Sequence, residues 1–142
     1  MKKYYYLLSL LFIFVIPTII AGFYIKNINF IKDLIPFVIL VTIIGSIWDI
    51  WATKHGRKDS AWLWQFNSRQ TLGIKIVGLP IEEYLFYVSS SVYVIFMWEG
   101  IKQIVNNNNS QLFLVIPILA IWTLICILLP YKFGPKGDKL IG

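Results

Sequence analysis

Apolar residues along this chain fall in long blocks. They show neither the strict alternation of a half-buried strand nor the one-sided stripe of a soluble helix. The blocks run over Tyr4–Ile25, Leu34–Ala52, Ile81–Trp98 and Gln111–Leu129, with polar stretches between them. A helix needs about 20 mostly apolar residues to cross roughly 30 Å of hydrocarbon. The pattern predicts an all-α integral membrane protein, a bundle of about four transmembrane helices with a long loop between the second and third. The third block is the shortest and opens with two carboxylates, Glu82 and Glu83. The chain reads as one membrane domain over 1–142, ending in a fourth helix at 111–129 and a basic tail at 132–142.

Local signals refine this outline. Pro17 predicts a disturbance inside the first helix, tolerated in a membrane where neighbours satisfy the freed carbonyls. Asp33 suits the cap of the second helix, with Pro36 in its first turn, and Pro80 suits the first position of the third. In the long loop, Trp62, Trp64 and Phe66 alternate with Leu63 and Gln65. That is the spacing of an extended segment with one aromatic face. Ile74-Lys75-Ile76-Val77 is a second β-type run, and the two together predict a small hairpin on the membrane surface. Asn106–Asn109 with Ser110 reads as a polar loop outside the bilayer. Met1-Lys2-Lys3 before an apolar run looks like the start of a signal peptide. The run is too long for one, and no small-residue cleavage site follows, so a retained first helix is expected.

Composition agrees with the blocks: 58% of residues are hydrophobic and only 14% are charged, against about a quarter charged in soluble domains. The net charge of +6 does not point to nucleic acid, because its distribution reads as topology. With the N-terminus, the long loop and the C-terminus on one side, that side carries ten of the thirteen Lys and Arg. The other side has Lys26, Lys32 and Lys102. Both termini are therefore expected in the cytoplasm of a multi-pass cell-membrane protein. Cys126 is the only cysteine, which rules out an intrachain disulfide and a thiolate metal cluster. No glycine-rich nucleotide loop and no metal-ligand spacing appears, so neither a cofactor nor a metal is expected.

The chemistry sits in Trp48-Asp49-Ile50-Trp51, near the end of the second helix, and in Leu79-Pro80-Ile81-Glu82-Glu83, at the start of the third. Both lie at the same membrane face. An ionised carboxylate costs several kcal/mol in hydrocarbon, so intramembrane acids mark functional sites by default. Glu82 and Glu83 project about 100° apart on a helix. One is expected to face the site and the other to orient it or meet headgroups, and the sequence does not say which. Phe86 follows Glu82 on its face, and Tyr87 follows Glu83. Burial favours a neutral acid able to donate a proton, while the helix N-terminus favours the carboxylate. Aromatic faces attract a cation without acting as bases. Plainer roles compete: Glu82 as a helix cap, Asp49 paired with Lys54 or Arg57, the tryptophans as interface anchors, and His55 as a solvated loop residue.

Several segments together resemble the flavin-independent, integral membrane lycopene cyclase domain, found as heterodimers or fused repeats. They are Trp48-Asp49-Ile50-Trp51-Ala52-Thr53-Lys54-His55-Gly56, Trp64-Gln65-Phe66-Asn67, Leu72-Gly73-Ile74, Leu79-Pro80-Ile81-Glu82-Glu83-Tyr84-Leu85-Phe86-Tyr87 and Trp98-Glu99. The resemblance covers 4–99. It implies a carotenoid end-group cyclase, an isomerase-type enzyme closing rings on a linear polyene without net redox change. It implies Glu82, Glu83 and Asp49 as catalytic residues, one glutamate as the proton donor and Asp49 as a second acid or base, with no cofactor. Trp48, Trp51, Trp64, Phe66, Phe86 and Tyr87 are then expected to bind a lipid-soluble carotenoid that arrives through the membrane lipid. Val88-Ser89-Ser90-Ser91 is more polar than in relatives, and only one domain copy is present. A small bundle has little interior of its own, so a sister subunit or a homodimer is expected. Rival readings are a non-catalytic scaffold subunit, a prenyl-diphosphate enzyme and a small transporter. The second would want clustered aspartates for magnesium, and Asp49 has no such companion.

Overall fold

The computed structural model describes residues 4–55, 70–107 and 109–133. Four helices in it are long and apolar enough to cross a membrane, and the chain is a multi-pass membrane protein. We number them α1 (Tyr5–Tyr24), α2 (Ile31–His55), α3 (Ile81–Asn107) and α4 (Ser110–Phe133). The aromatic run Trp62, Trp64 and Phe66, and the tail from residue 134 on, lie outside the described residues.

The disturbance expected at Pro17 takes the form of a π-helical turn, Leu11–Val15. The Ile16 N–H reaches back five residues to the Leu11 carbonyl, and in that register Pro17 has no N–H for the Phe12 carbonyl. In hydrocarbon an unsatisfied carbonyl is costly. Trp122 on α4 donates its indole N–H to that oxygen at 2.9 Å, and the Thr123 hydroxyl reaches the Ile13 carbonyl at 3.5 Å. The fourth helix thus completes the backbone of the first.

Some boundaries differ from those read in the sequence. α2 starts at Ile31, so Asp33 lies within its first turn and Pro36 lies inside the helix. Asp33 is not the cap, although its carboxylate still sits at the positive end of the helix. Residue 80 ends a strand, and α3 starts one position later. α3, the shortest apolar block, is the longest helix, with 27 residues, because its polar continuation past Trp98 stays helical. Its serines satisfy themselves locally: Ser89 donates to the Phe86 carbonyl, and Ser90 and Ser91 to that of Tyr87. Such back-bonding removes the penalty of a hydroxyl in lipid.

α2 leans chiefly on α3, while α1 packs on both α3 and α4. Ala21, Ile25, Phe30, Leu112, Ile116 and Leu119 form an apolar core at the end where α1 stops and α4 starts. There, buried Gln103 on α3 accepts the Lys26 N–H at 3.1 Å. At the opposite end, β1 (Lys75–Ile76) pairs antiparallel with β2 (Leu79–Pro80). The turn between them is Val77-Gly78, with φ of 52° and 86°. Both values suit the positive-φ turn that matches strand twist, but valine is a strained choice there. The run from Ile74 is thus a strand partner of Leu79–Pro80; the aromatic run expected opposite it is outside the described residues.

Candidate active site

Three helices bring polar side chains together at the hairpin end. Asp49 lies near the end of α2, Glu82 and Glu83 in the first turn of α3, and Tyr6 in the first turn of α1. The carboxylates are withdrawn from solvent, with relative exposures of 5% for Asp49, 0% for Glu82 and 7% for Glu83.

Glu83 and Asp49 form the centre. Their carboxyl groups are close neighbours across α2 and α3, and two like charges placed side by side away from water repel one another. Each is also held by a phenol from another helix. Tyr6 donates its hydroxyl to Glu83 Oε1, and Tyr87 donates to Asp49 Oδ2 at 2.6 Å. The result is a chain, Tyr6–Glu83–Asp49–Tyr87, running through α1, α3 and α2. Among the described residues no lysine or arginine pairs with it; the one ion pair there is Lys102 with Glu99.

Glu82 points elsewhere. Its Oε1 accepts the Leu72 N–H at 2.5 Å, and its Oε2 is buried without a partner among the described residues, as is the Thr71 hydroxyl. Glu82 therefore ties the segment before the hairpin to α3. Further ties are the Ile81 N–H to the Ile74 carbonyl at 2.9 Å, the Tyr6 N–H to the Gln70 carbonyl at 3.4 Å, and the Tyr84 hydroxyl to the Ile76 carbonyl at 2.9 Å. The loop returning to α3 is thus pinned beneath the acid pair.

Aromatic rings continue from the acids into the bundle. Phe86 meets Tyr87 edge-on at 5.4 Å, Phe14 meets Phe86 at 5.7 Å, and Phe14 meets Tyr93 at 5.6 Å. Chemically, this is a pair of buried carboxyls beside ring faces that favour positive charge.

With that arrangement in view, the profile of the family described as lycopene cyclase matches residues 2–101. The chain belongs to the lycopene cyclase family. No curated protein and no solved structure matches it. The match includes α1, α2 and most of α3, hence every residue of the acid cluster, and stops short of α4.

Against the sequence reading of this lycopene cyclase family chain, the structure joins Asp49 with Glu83 and sends Glu82 to a backbone partner. Neither a helix cap for Glu82 nor a cation for Asp49 appears among the described residues. Phe86 and Tyr87 adjoin the acids. Trp48 and Trp51 do not: they are 56% and 47% exposed on the outside of α2, with their rings 5.3 Å apart. A residue next to Asp49 on a helix projects about 100° away from it. His55 is in the last turn of α2, not a loop, and stacks on Trp51 at 5.0 Å. Trp64 and Phe66 lie outside the described residues. Sequence reasoning missed Tyr6, Phe14 and Tyr93. The one available signal for Tyr6 was depth, since the first turns of the first and third helices sit at the same membrane face.

Proposed function

We propose that this chain is a carotenoid end-group cyclase subunit that closes rings on lycopene, with Glu83 as the acid and Asp49 as the base. The observation that carries this reading is the adjacent Glu83–Asp49 pair, buried and held by two phenols, with no cation beside it among the described residues. A proton-sharing carboxyl pair is what redox-neutral ring closure asks for, because the reaction takes up one proton and gives one back.

The steps balance without a co-reactant. Glu83 gives its proton to the terminal double bond of the polyene: the O–H bond breaks, a C–H bond forms, and a tertiary cation is left. The internal double bond attacks that carbon, a C–C bond closes the ring, and the charge moves to a ring carbon. Asp49 removes a proton from the neighbouring carbon, which restores a double bond. The proton then passes from Asp49 to the neighbouring Glu83 and recharges it. The faces of Phe14, Phe86, Tyr87 and Tyr93 stabilise the passing cation and do not trap it as a base would. A long apolar substrate reaches the site sideways from the bilayer. The excess of Lys and Arg at the acid end supports an orientation with both termini in the cytoplasm. The exposed Trp48 and Trp51 face lipid, or a sister subunit or second copy that completes the site.

The test is expression in lycopene-accumulating cells, with the sister subunit where one is required, and chromatography of the products. Glu83→Gln and Asp49→Asn should each slow ring formation by roughly a hundredfold or more while the protein still accumulates in the membrane. Ring formation undiminished in both defeats the proposal, and so would a chain that acts only as a scaffold for a catalytic partner.

A further inference from the structure

Gly45 lies one helical turn before Asp49 on the same face of α2. It faces the Tyr87 ring so closely that a Cβ there would stand 2.2, 2.4 and 2.6 Å from three ring atoms. Real side chains do not approach so near, so any residue larger than glycine moves the ring. Tyr87 is the residue whose hydroxyl reaches Asp49 Oδ2 at 2.6 Å. A tyrosine has two side-chain torsions, and its hydroxyl is fixed by its ring. Shifting the ring therefore carries the hydroxyl away from the carboxyl. Glycine in a helix interior is disfavoured relative to alanine, so something at this position offsets that cost.

We propose that Gly45 is a positioning residue for the Asp49–Glu83 pair: it leaves the space that the Tyr87 ring occupies with its hydroxyl on Asp49. This rests on the reading of that pair as the proton donor and acceptor. The alternative is that Gly45 merely allows two helices to approach, as small residues commonly do in membranes.

A mutant cycle separates the two. Gly45→Ala, Tyr87→Phe and the double variant are assayed on lycopene, beside wild type and Glu83→Gln. Loss of a hydrogen bond to a charged or proton-sharing carboxyl corresponds to about a tenfold loss of rate. Each single variant should lose about that much, and the double variant should be no worse than Tyr87→Phe alone, because the hydroxyl is already gone. A packing role predicts multiplication instead, to about a hundredfold, since phenylalanine meets the new methyl group just as tyrosine does.

A second readout does not need turnover. The infrared carboxylate band removed by Asp49→Asn should move equally, and in the same direction, in Gly45→Ala and in Tyr87→Phe. A band that moves in Tyr87→Phe but stays put in Gly45→Ala overturns the proposal, whatever the activities. If Gly45→Ala fails to accumulate while the double variant accumulates and matches Tyr87→Phe, the proposal stands; failure of both overturns it. Activity retained in Glu83→Gln sinks the proposed function and leaves the infrared result to decide the role of Gly45. Activity lost in Glu83→Gln but normal in Gly45→Ala sinks only the inference.

Discussion

At one end of the bundle, Ala21, Ile25, Phe30, Leu112, Ile116 and Leu119 hold the helices together through apolar contact. At the other, Tyr6, Asp49, Glu82, Glu83 and Tyr87 hold them through hydroxyls and carboxyls. Each end also has a glycine that admits a side chain from another helix. Gly100 receives Ile116 and Gly45 receives Tyr87, both closer than a Cβ would allow. Lipid tails are as apolar as leucine, so an apolar interface suffices to assemble membrane helices by packing alone. Buried carboxylates are an expensive way to do the same job. On the proposed reading the acid end serves chemistry, and the apolar end serves assembly.

Substitutions that separate the two carboxyls from their task should have the largest effect. Glu83→Gln and Asp49→Asn keep shape and remove an exchangeable proton or its acceptor. Each should lower the initial rate of ring formation by roughly a hundred- to ten-thousand-fold, the range for general acid–base groups, with little change in membrane-embedded protein. If both lose activity only in proportion to protein lost, the acid end is structural and the contrast fails.

Glu82 sharpens the contrast from within the same end. Glu82→Gln keeps an oxygen for the Leu72 N–H, so ring formation should stay within about tenfold of wild type. Glu82→Ala leaves that buried N–H unpaired, at a cost of about 1–3 kcal/mol. Protease cutting in the segment before the hairpin should rise in Glu82→Ala and not in Glu82→Gln. Equal loss of turnover in Glu82→Gln and Glu83→Gln would erase the division of roles between them.

The apolar end is expected to respond in the opposite currency. In Gly100→Ala the new methyl group meets Ile116, which must find another rotamer; overpacking of this kind costs about 1–3 kcal/mol. Denaturation in detergent should show that loss, and lycopene turnover per folded molecule should stay unchanged. Gly45→Ala should give the reverse pattern. A Gly100 variant that is stable yet inactive would mean that the two ends are coupled.

What was legible in the sequence follows the same line. Four apolar blocks gave the helices, because the length of a membrane span is a physical requirement visible in one dimension. Boundaries slipped where polar residues continue a helix beyond the hydrocarbon, as from Trp98 to Asn107. The acids stood out because carboxylates are rare at that depth. Their phenol partners were not visible: Tyr6 and Glu83 are 77 positions apart, and no local period joins them. Trp48 and Trp51, expected from the family resemblance to bind substrate, lie on the exposed side of α2, because neighbours on a helix project to different faces.

The smallest expected effect concerns α4, which lies outside the family match. Trp122 gives the Phe12 carbonyl the hydrogen bond that Pro17 does not provide. Trp122→Phe removes the donor and keeps an aromatic ring. Side-chain hydrogen bonds between membrane helices average about 0.6 kcal/mol and reach about 1.7, so the loss of stability should fall in that range. Pairing the change with Pro17→Ala decides the cause. An alanine N–H at position 17 can serve the Phe12 carbonyl from within α1, so in that background Trp122→Phe should cost less than it does alone. An undiminished cost would mean that the indole acts by packing on α1, and that α4 is held to the bundle by the same apolar contact as the rest of its end.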